Sequence, residues 1–97
     1  MIPKEVKYLS AFETCDYFID LGIHIAYYRK RVGLKQQELA DRLHIDRTYL
    51  SRIESPNQNQ HLSFELFFNI CMILDVPPQY FFAPFPKPGS KKYRSRK

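Results

Sequence analysis

The sequence lacks the features that mark membrane, secreted and disulfide-rich proteins. Its 97 residues include no tryptophan, three glycines and two cysteines. No apolar run approaches the roughly 20 residues that a membrane-spanning helix needs, so no membrane association is expected. The N-terminal stretch MIPKEVKYLSAFE has no continuous apolar core of the secretory type, and we therefore expect a cytoplasmic protein. The length allows one small domain with tails.

The two cysteines, Cys15 and Cys71, are too isolated to form a metal or redox motif. They are far apart in the sequence, no cluster of ligands accompanies either one, and each lies in an apolar pattern. Buried free thiols are therefore expected. His24 and His61 also lack partners at ligand spacing, so we predict neither a metal nor a cofactor.

Acidic residues are absent from the C-terminal end of the chain. Residues 1–86 hold nine Lys or Arg against ten Asp or Glu, a net charge of −1, whereas residues 87–97 hold six basic residues and no acid. The whole excess of the +5 net charge therefore lies in residues 87–97, which we predict to be a flexible basic tail. This tail could add phosphate contacts or only solubilise the protein, so a DNA-binding hypothesis must rest on where charges lie locally.

What the sequence does contain is a succession of helix signals. A capping box over residues 10–13 predicts a helix from about Ala11, and apolar residues then recur at helical spacing as far as Val32. A break at Asp20 or Gly22 would divide this stretch into two helices. The sequence does not decide between one long helix and two.

Further helical segments follow, separated by short connections. Asp46 and Ser63 are favourable N-cap residues, and a proline pair stops one helix and starts the next. No stretch shows sustained strand alternation, so we predict an all-α protein: a compact five-helix domain over residues 20–86 behind a partly helical extension over residues 1–19. The segments after the first are predicted at residues 36–43, 47–54, 64–74 and 78–82.

The helices at 36–43 and 47–54 are joined by a short turn, the geometry that lets the second helix enter the major groove of DNA. Residues 21–81 as a whole, with GLKQQELA before the turn and YLSRIE after it, resemble the Cro and lambda-repressor type of helix-turn-helix proteins, the XRE family. The resemblance implies a lambda-repressor-like fold and a sequence-specific, double-stranded DNA-binding transcriptional regulator, a repressor associated with the nucleoid.

The same resemblance places base-reading residues on one face of helix 47–54. The spacing agrees, because these residues form i, i+4 pairs opposite Leu50 and Ile53. Arginine can donate two hydrogen bonds to guanine, and Ser or Thr can contact bases or phosphates. The alternatives are that the first arginine pairs with Asp46 or a phosphate and the second with a nearby acid. The predicted base-reading residues are Arg47, Thr48, Ser51 and Arg52.

The predicted phosphate contacts lie on both sides of this helix. The resemblance makes Gln36 the residue that grips a phosphate, and the free N–H groups of a helix start favour an anion there. Lys35 replaces the family's usual Ser or Thr cap, so that end should fray, and His44 replaces the turn glycine. The alternative for each predicted phosphate-binding residue is that its side chain is merely exposed to solvent. For Tyr49 a further alternative is that its ring packs against the core. The predicted phosphate-binding residues are Lys35, Gln36, Tyr49, Asn57, Gln58, Asn59 and Gln60.

The segment from residue 64 to residue 85 carries more apolar residues than one small domain needs. Six of them are expected in the core: Phe64, Phe67, Phe68, Ile70, Cys71 and Leu74. Six more are predicted to form a symmetric dimer that reads paired half-sites ~34–36 Å apart: Leu66, Met72, Ile73, Tyr80, Phe82 and Phe85. Alternatively the N-terminal segment, with Phe12, Phe18 and Ile19, covers this surface within one chain.

A second class of function remains open, a helix-turn-helix module of the antitoxin or coactivator type that binds a non-identical protein partner. An enzyme is not expected, because no nucleophile with a base, acid pair or glycine-rich phosphate loop can be assembled from the sequence. With no ligand-pocket signature, the chain should act as a simple repressor or as the DNA-binding partner of another protein.

Overall fold

The computed structural model describes residues 14–58 and 60–85. They form four α-helices and one 3-10 helix: α1 Thr14–Arg31, α2 Gln36–Leu43, α3 Arg47–Glu54, α4 Phe64–Leu74, and the 3-10 helix Pro78–Phe82. This part of the chain contains no strand, which confirms the all-α prediction. Within it, no helix combines the length and the apolarity that crossing a membrane requires.

The fifth predicted helix is a 3-10 helix and not an α-helix. It is five residues long and begins with proline. The N–H of Tyr80 donates to the carbonyl oxygen of Pro77 at 3.0 Å, an i→i−3 hydrogen bond of the tighter type. So short a segment gains little from i→i−4 bonds, and such single turns commonly adopt this geometry.

The first helix, α1, is continuous through Asp20 and Gly22. Gly22 marks a close contact instead of a break, because a Cβ atom there would lie 1.8 Å from the carbonyl oxygen of Ile53 in α3. The domain boundary expected between residues 19 and 20 lies inside this helix. The predicted capping box at residues 10–13 and the basic tail at residues 87–97 lie outside the described residues.

The turn between α2 and α3 depends on a left-handed residue. His44 has φ 60° and ψ 41°, and its N–H donates to the Asp41 carbonyl oxygen at 3.2 Å. Histidine thus occupies the conformation for which glycine is best suited. At the other end of α2, the backbone N–H of Lys35 donates to the Glu38 carboxylate at 2.7 Å. This hydrogen bond opposes the fraying expected from the missing Ser or Thr cap.

The cap predictions for the next two helices have different outcomes. Ser63 caps α4 as predicted, since its Oγ accepts a hydrogen bond from the Leu66 N–H at 3.1 Å. Asp46 stands at the N-cap position of α3, but its side chain accepts no cap hydrogen bond. The start of α3 is therefore fixed by its packing and not by its cap.

One hydrophobic core joins all five helical elements. Its fully buried side chains include Tyr28 of α1, Leu39 of α2, Leu50 of α3, Ile70 of α4 and Phe81 of the 3-10 helix. Packing of these side chains fixes α3 against both α1 and α2.

The thiol of Cys71 is part of this core. It is buried and free, as predicted, and desolvation raises its pKa to about 11. The side chain of Cys15 is outside the described part of the structure.

Two residues expected in the core are on the surface. Phe64 is 78% exposed and Phe68 is 47% exposed. The helix turns about 100° per residue, so these two lie on one flank of the buried row that begins at Phe67. Leu66 and Ile73 lie on the opposite flank, which the rest of the domain partly covers. Apolar spacing along α4 does not distinguish these two flanks, because both border the buried row.

The segment after the 3-10 helix is fixed to α1 by His24. This residue is buried, and its two ring nitrogens lie 2.9 Å from the carbonyl oxygen of Asp20 and 2.7 Å from that of Ala83. Its ring stacks on Phe85 with 4.2 Å between centroids. The C-terminal end of the described chain is thereby packed against the side of α1.

Candidate nucleic-acid interface

Helix α3 has one face in the core and one face in solvent. Leu50, Ile53 and Glu54 are buried. The predicted base-reading residues lie outside this buried set: Arg47, Thr48 and Arg52 are exposed and Ser51 is half-buried. The packing therefore determines which side of α3 is available to a macromolecule.

A buried ion pair holds α3 to the end of α1. The guanidinium of Arg29 donates from Nε to Glu54 Oε2 at 2.7 Å and from Nη2 to Oε1 at 2.9 Å. Its Nη1 donates to the carbonyl oxygen of Leu34 at 2.7 Å. Arg29 is 6% and Glu54 7% exposed, so the pair is shielded from water. This bidentate geometry fixes the orientation of the carboxylate as well as its position.

Gln36 links this buried pair to the exposed face. Its Nε2 donates to Glu54 Oε1 at 2.9 Å, and its Oε1 accepts from Nη1 of Arg47 at 3.4 Å. Because the carboxylate is fixed by Arg29, the amide of Gln36 has a defined orientation. One of its two amide hydrogens points to Glu54, and no described residue accepts the other.

The two predicted arginines are held differently. Arg47 contacts Gln36, and not Asp46 as one alternative had it. Arg52 is exposed, and no described residue forms a hydrogen bond or ion pair with its guanidinium. Within the described ranges, the alternative that Arg52 pairs with a nearby acid is therefore not observed.

The remaining predicted phosphate contacts are dispersed around α3. Tyr49 is half-buried and packs against the core, and the Lys35 side chain is exposed. Asn57 and Gln58 are exposed in a turn whose N–H groups donate to Ser55 Oγ at 3.2 Å and Ser55 O at 3.4 Å. Gln60 is half-buried and donates to the His61 carbonyl oxygen at 3.2 Å, and Asn59 lies outside the described residues.

The sequence reasoning missed the role of Glu54 and its partner Arg29. A signal was present: Glu54 follows Leu50 by four residues and Arg29 follows Ile25 by four, so each falls in a buried register of its helix. Charged residues are almost never fully buried without a partner. An acid and an arginine in two such positions would have indicated an ion pair.

Known proteins with a helix-turn-helix are similar to this chain. A family model described as "Helix-turn-helix" matches residues 25–81, more than half of the chain. No curated protein matches the sequence significantly.

Several solved structures are similar to this chain, and three of them illustrate the likeness. The restriction-modification controller protein C.AhdI from Aeromonas hydrophila is 25% identical over 67% of this chain and 96% of its own, with TM-score 0.60. SinR, the master regulator for biofilm formation from Bacillus subtilis, in complex with DNA is 30% identical over 65% of this chain and 98% of its own, with TM-score 0.58. C.Esp1396I bound to a 19 base pair DNA duplex is 30% identical over 68% and 85%, with TM-score 0.58. This protein belongs to the XRE-type helix-turn-helix family.

Proposed function

We propose that this protein is a non-enzymatic, sequence-specific double-stranded DNA-binding transcriptional regulator that represses by occupying an operator. The observation that carries the proposal is the division of α3 into a buried face and an outward face that holds two arginines and two hydroxyl residues. The DNA-bound structures of SinR and C.Esp1396I support it, because both are similar to this chain over about two thirds of its length. Action on an operator would place the protein at the nucleoid.

In the proposed complex α3 lies in the major groove and the start of α2 faces the phosphate backbone. Arg52, which has no partner in the described chain, is available for a bidentate contact with guanine, a contact that discriminates between bases by about 1–3 kcal/mol. The second amide hydrogen of Gln36 and the N-terminal N–H groups of α2 donate to a phosphate oxygen. Arg47, held by Gln36, lies beside that phosphate site and can reach either a base or a phosphate.

Thr48 and Ser51 add contacts on the same face of α3. Lys35, Tyr49 and the turn after α3, residues 57–60, supply further phosphate contacts in this proposal. Phosphate contacts orient the protein but carry no sequence information, so the discrimination depends on α3.

Selection of bound duplexes from a random pool tests the proposal. We expect enrichment of sites with guanine at one or two positions, and Arg52→Ala should relax one of them by about 1–3 kcal/mol. Lys97→Ala, a charge-matched control in the basic tail, should weaken binding to all sequences slightly and equally. Failure to enrich any sequence over random DNA would defeat the proposal.

The basic tail, residues 87–97, is proposed to add sequence-independent phosphate contacts. Its six basic residues carry no acidic partner in the tail itself. If it neutralises three or four phosphates, truncation after Phe85 should reduce the salt slope of log affinity by about 0.9 for each phosphate lost. An unchanged slope after truncation would show that the tail makes no such contacts.

The regulator is proposed to act as a homodimer. Of the six residues predicted for the interface, Leu66, Ile73 and Tyr80 pack partly against their own core. Met72 is the most exposed at 77%, and beside it lies an apolar pocket of about 290 Å³ whose wall includes Phe68, Val76 and two prolines. A protruding side chain next to a pocket suits a twofold interface, in which each copy supplies both halves of the contact.

The other two predicted interface residues are Phe82, which is 64% exposed, and Phe85, which is 39% exposed and stacks on His24. Light scattering coupled to gel filtration tests the dimer: Met72→Glu should shift the dimer towards the monomer, and the control Gln79→Glu should not. A wild-type monomer at tens of micromolar would contradict the dimer in solution. Capture of a stoichiometric non-identical protein would favour the interaction-module alternative.

A further inference from the structure

An open apolar groove lies between the first turns of α1 and the start of α4. Its cavity volume is about 320 Å³. Tyr17 is 57% exposed and Phe64 78%, so the described part of the chain leaves the groove open to solvent. We term it the aromatic groove, and its walls are formed by Tyr17, Phe18, Leu62, Phe64, Phe67 and Phe82.

The walls of the aromatic groove are held by contacts of their own. The Phe18 ring stacks on His61 with 4.2 Å between centroids. Phe67 and Phe82 meet edge to face at 5.6 Å. The groove is therefore formed before anything enters it, which is typical of binding sites for apolar groups. Since a dry apolar cavity of roughly 150 Å³ holds one benzene molecule, this one has room for about two side-chain rings.

We propose that residues 1–13 of the same chain fill the aromatic groove. These residues lead directly into α1 at Thr14, three and four residues before the first two groove residues, Tyr17 and Phe18. They include six large apolar or aromatic residues: Met1, Ile2, Val6, Tyr8, Leu9 and Phe12. A segment attached at the edge of a groove is present at millimolar effective concentration, so even weak apolar contacts keep it bound.

The length of the segment is sufficient. From Thr14 to Phe18 the helix rises about 6 Å, at 1.5 Å per residue. An extended chain spans up to ~3.3–3.6 Å per residue. A few extended residues before Thr14 therefore suffice to double back along α1, a path that replaces the predicted helical start at about Ala11 and brings Leu9 and Phe12 within reach of the groove.

A second copy of the chain is the competing occupant. A second copy could instead bind the surface around Met72. Phe68 and Met72 lie one and two turns beyond Phe64 on α4. The pocket beside Met72 shares no lining residue with the aromatic groove. The groove can thus be filled from within the chain while the Met72 surface stays available, and Phe82 then belongs to the filled groove and not to the dimer interface. The inference does not depend on the proposed DNA-binding function.

Nuclear Overhauser effects in the full-length protein test the proposal. We expect contacts between the side chains of Leu9 or Phe12 and the rings of Phe64 or Phe82. Isotope-filtered spectra of a mixture of labelled and unlabelled protein separate contacts within a chain from contacts between chains. Contacts seen only between chains would assign the groove to a second copy and overturn the proposal, and so would the absence of any contact.

A thermal double-mutant cycle in the full-length protein supplies the second measurement. Leu9→Ser with Phe12→Ser removes the proposed occupant, and Phe82→Ser alters the groove. The combined loss of melting temperature should be clearly smaller than the sum of the separate losses, because each change breaks the same contact. Ile23→Ser, a control at an exposed apolar residue of α1 that lies outside both the groove lining and the proposed dimer interface, should add to the segment variant without coupling. Additive losses for Phe82→Ser would overturn the proposal.

Discussion

Removal of the Glu54 carboxylate should strongly destabilise the fold. Glu54 accepts two hydrogen bonds from Arg29, at 2.7 and 2.9 Å, and one from Gln36, at 2.9 Å. Glu54→Ala leaves a guanidinium that is 6% exposed without its counter-charge. Breaking a buried pair in this way costs about 3–5 kcal/mol. For a chain of this size each 1 kcal/mol lowers the melting temperature by about 4–8 °C, so a fall of more than ~12 °C is expected.

Urea unfolding followed by circular dichroism measures this loss. Gln36→Ala, which removes the hydrogen bond to Glu54 and the longer, exposed one from Arg47 but leaves the ion pair intact, should cost only about 1 kcal/mol. The double variant Arg29→Met with Glu54→Leu should be more stable than Glu54→Ala alone, because it removes both charges and leaves apolar side chains in their place. A loss below about 1 kcal/mol in the free energy of unfolding for Glu54→Ala would refute the reasoning. It would also be refuted if the losses for Arg29→Met and Glu54→Leu, measured separately, added up to the loss of the double variant.

Three further predictions concern the backbone and the buried thiol. Gly22→Ala should lower the free energy of unfolding by about 1–3 kcal/mol, because the added methyl would lie 1.8 Å from the Ile53 carbonyl oxygen. An unchanged midpoint of urea unfolding would contradict this. His44→Gly should raise the free energy of unfolding by about 1 kcal/mol, because φ at this position is 60°, and a melting temperature that does not rise would count against it. Burial raises the pKa of the Cys71 thiol from 9.0 to about 11. Iodoacetamide near pH 8.5 should therefore alkylate Cys71 slowly in the folded protein and quickly in urea. Equal alkylation rates in the two conditions, measured by peptide mapping, would disprove this. The same shift adds stability below pH 9 that is lost as the pH rises towards 11.

The helices could be predicted from the sequence because their ends depend on local chemistry. The bounds of α2, α3 and α4 agree with those expected from apolar spacing, from the N-cap Ser63 and from the proline pair. These signals act within one or two turns of the chain. They do not depend on which elements become neighbours in the fold, so the sequence pattern alone is enough to locate most helix ends.

Features that depend on the packing of distant segments could not be predicted in the same way. The Arg29–Glu54 pair joins residues 25 positions apart. The exposure of Phe64 depends on which flank of α4 the rest of the domain covers, although its helical position was correct. Likewise the sequence allows a helix break at Gly22, whereas the close contact of Gly22 with the Ile53 carbonyl oxygen of α3 explains the glycine. In each case the deciding interaction is between elements and not within one.

The separation of the two faces of α3 also has an evolutionary consequence. The residues that anchor this helix, Leu50, Ile53 and Glu54, are not the residues proposed to read DNA. Within the described residues, Gln36 connects the two sets, because it accepts a hydrogen bond from Arg47 at 3.4 Å and donates one to Glu54 at 2.9 Å. Duplicated copies of the protein could therefore diverge in the operators they recognise while retaining one scaffold, and the position most constrained in such divergence would be Arg47.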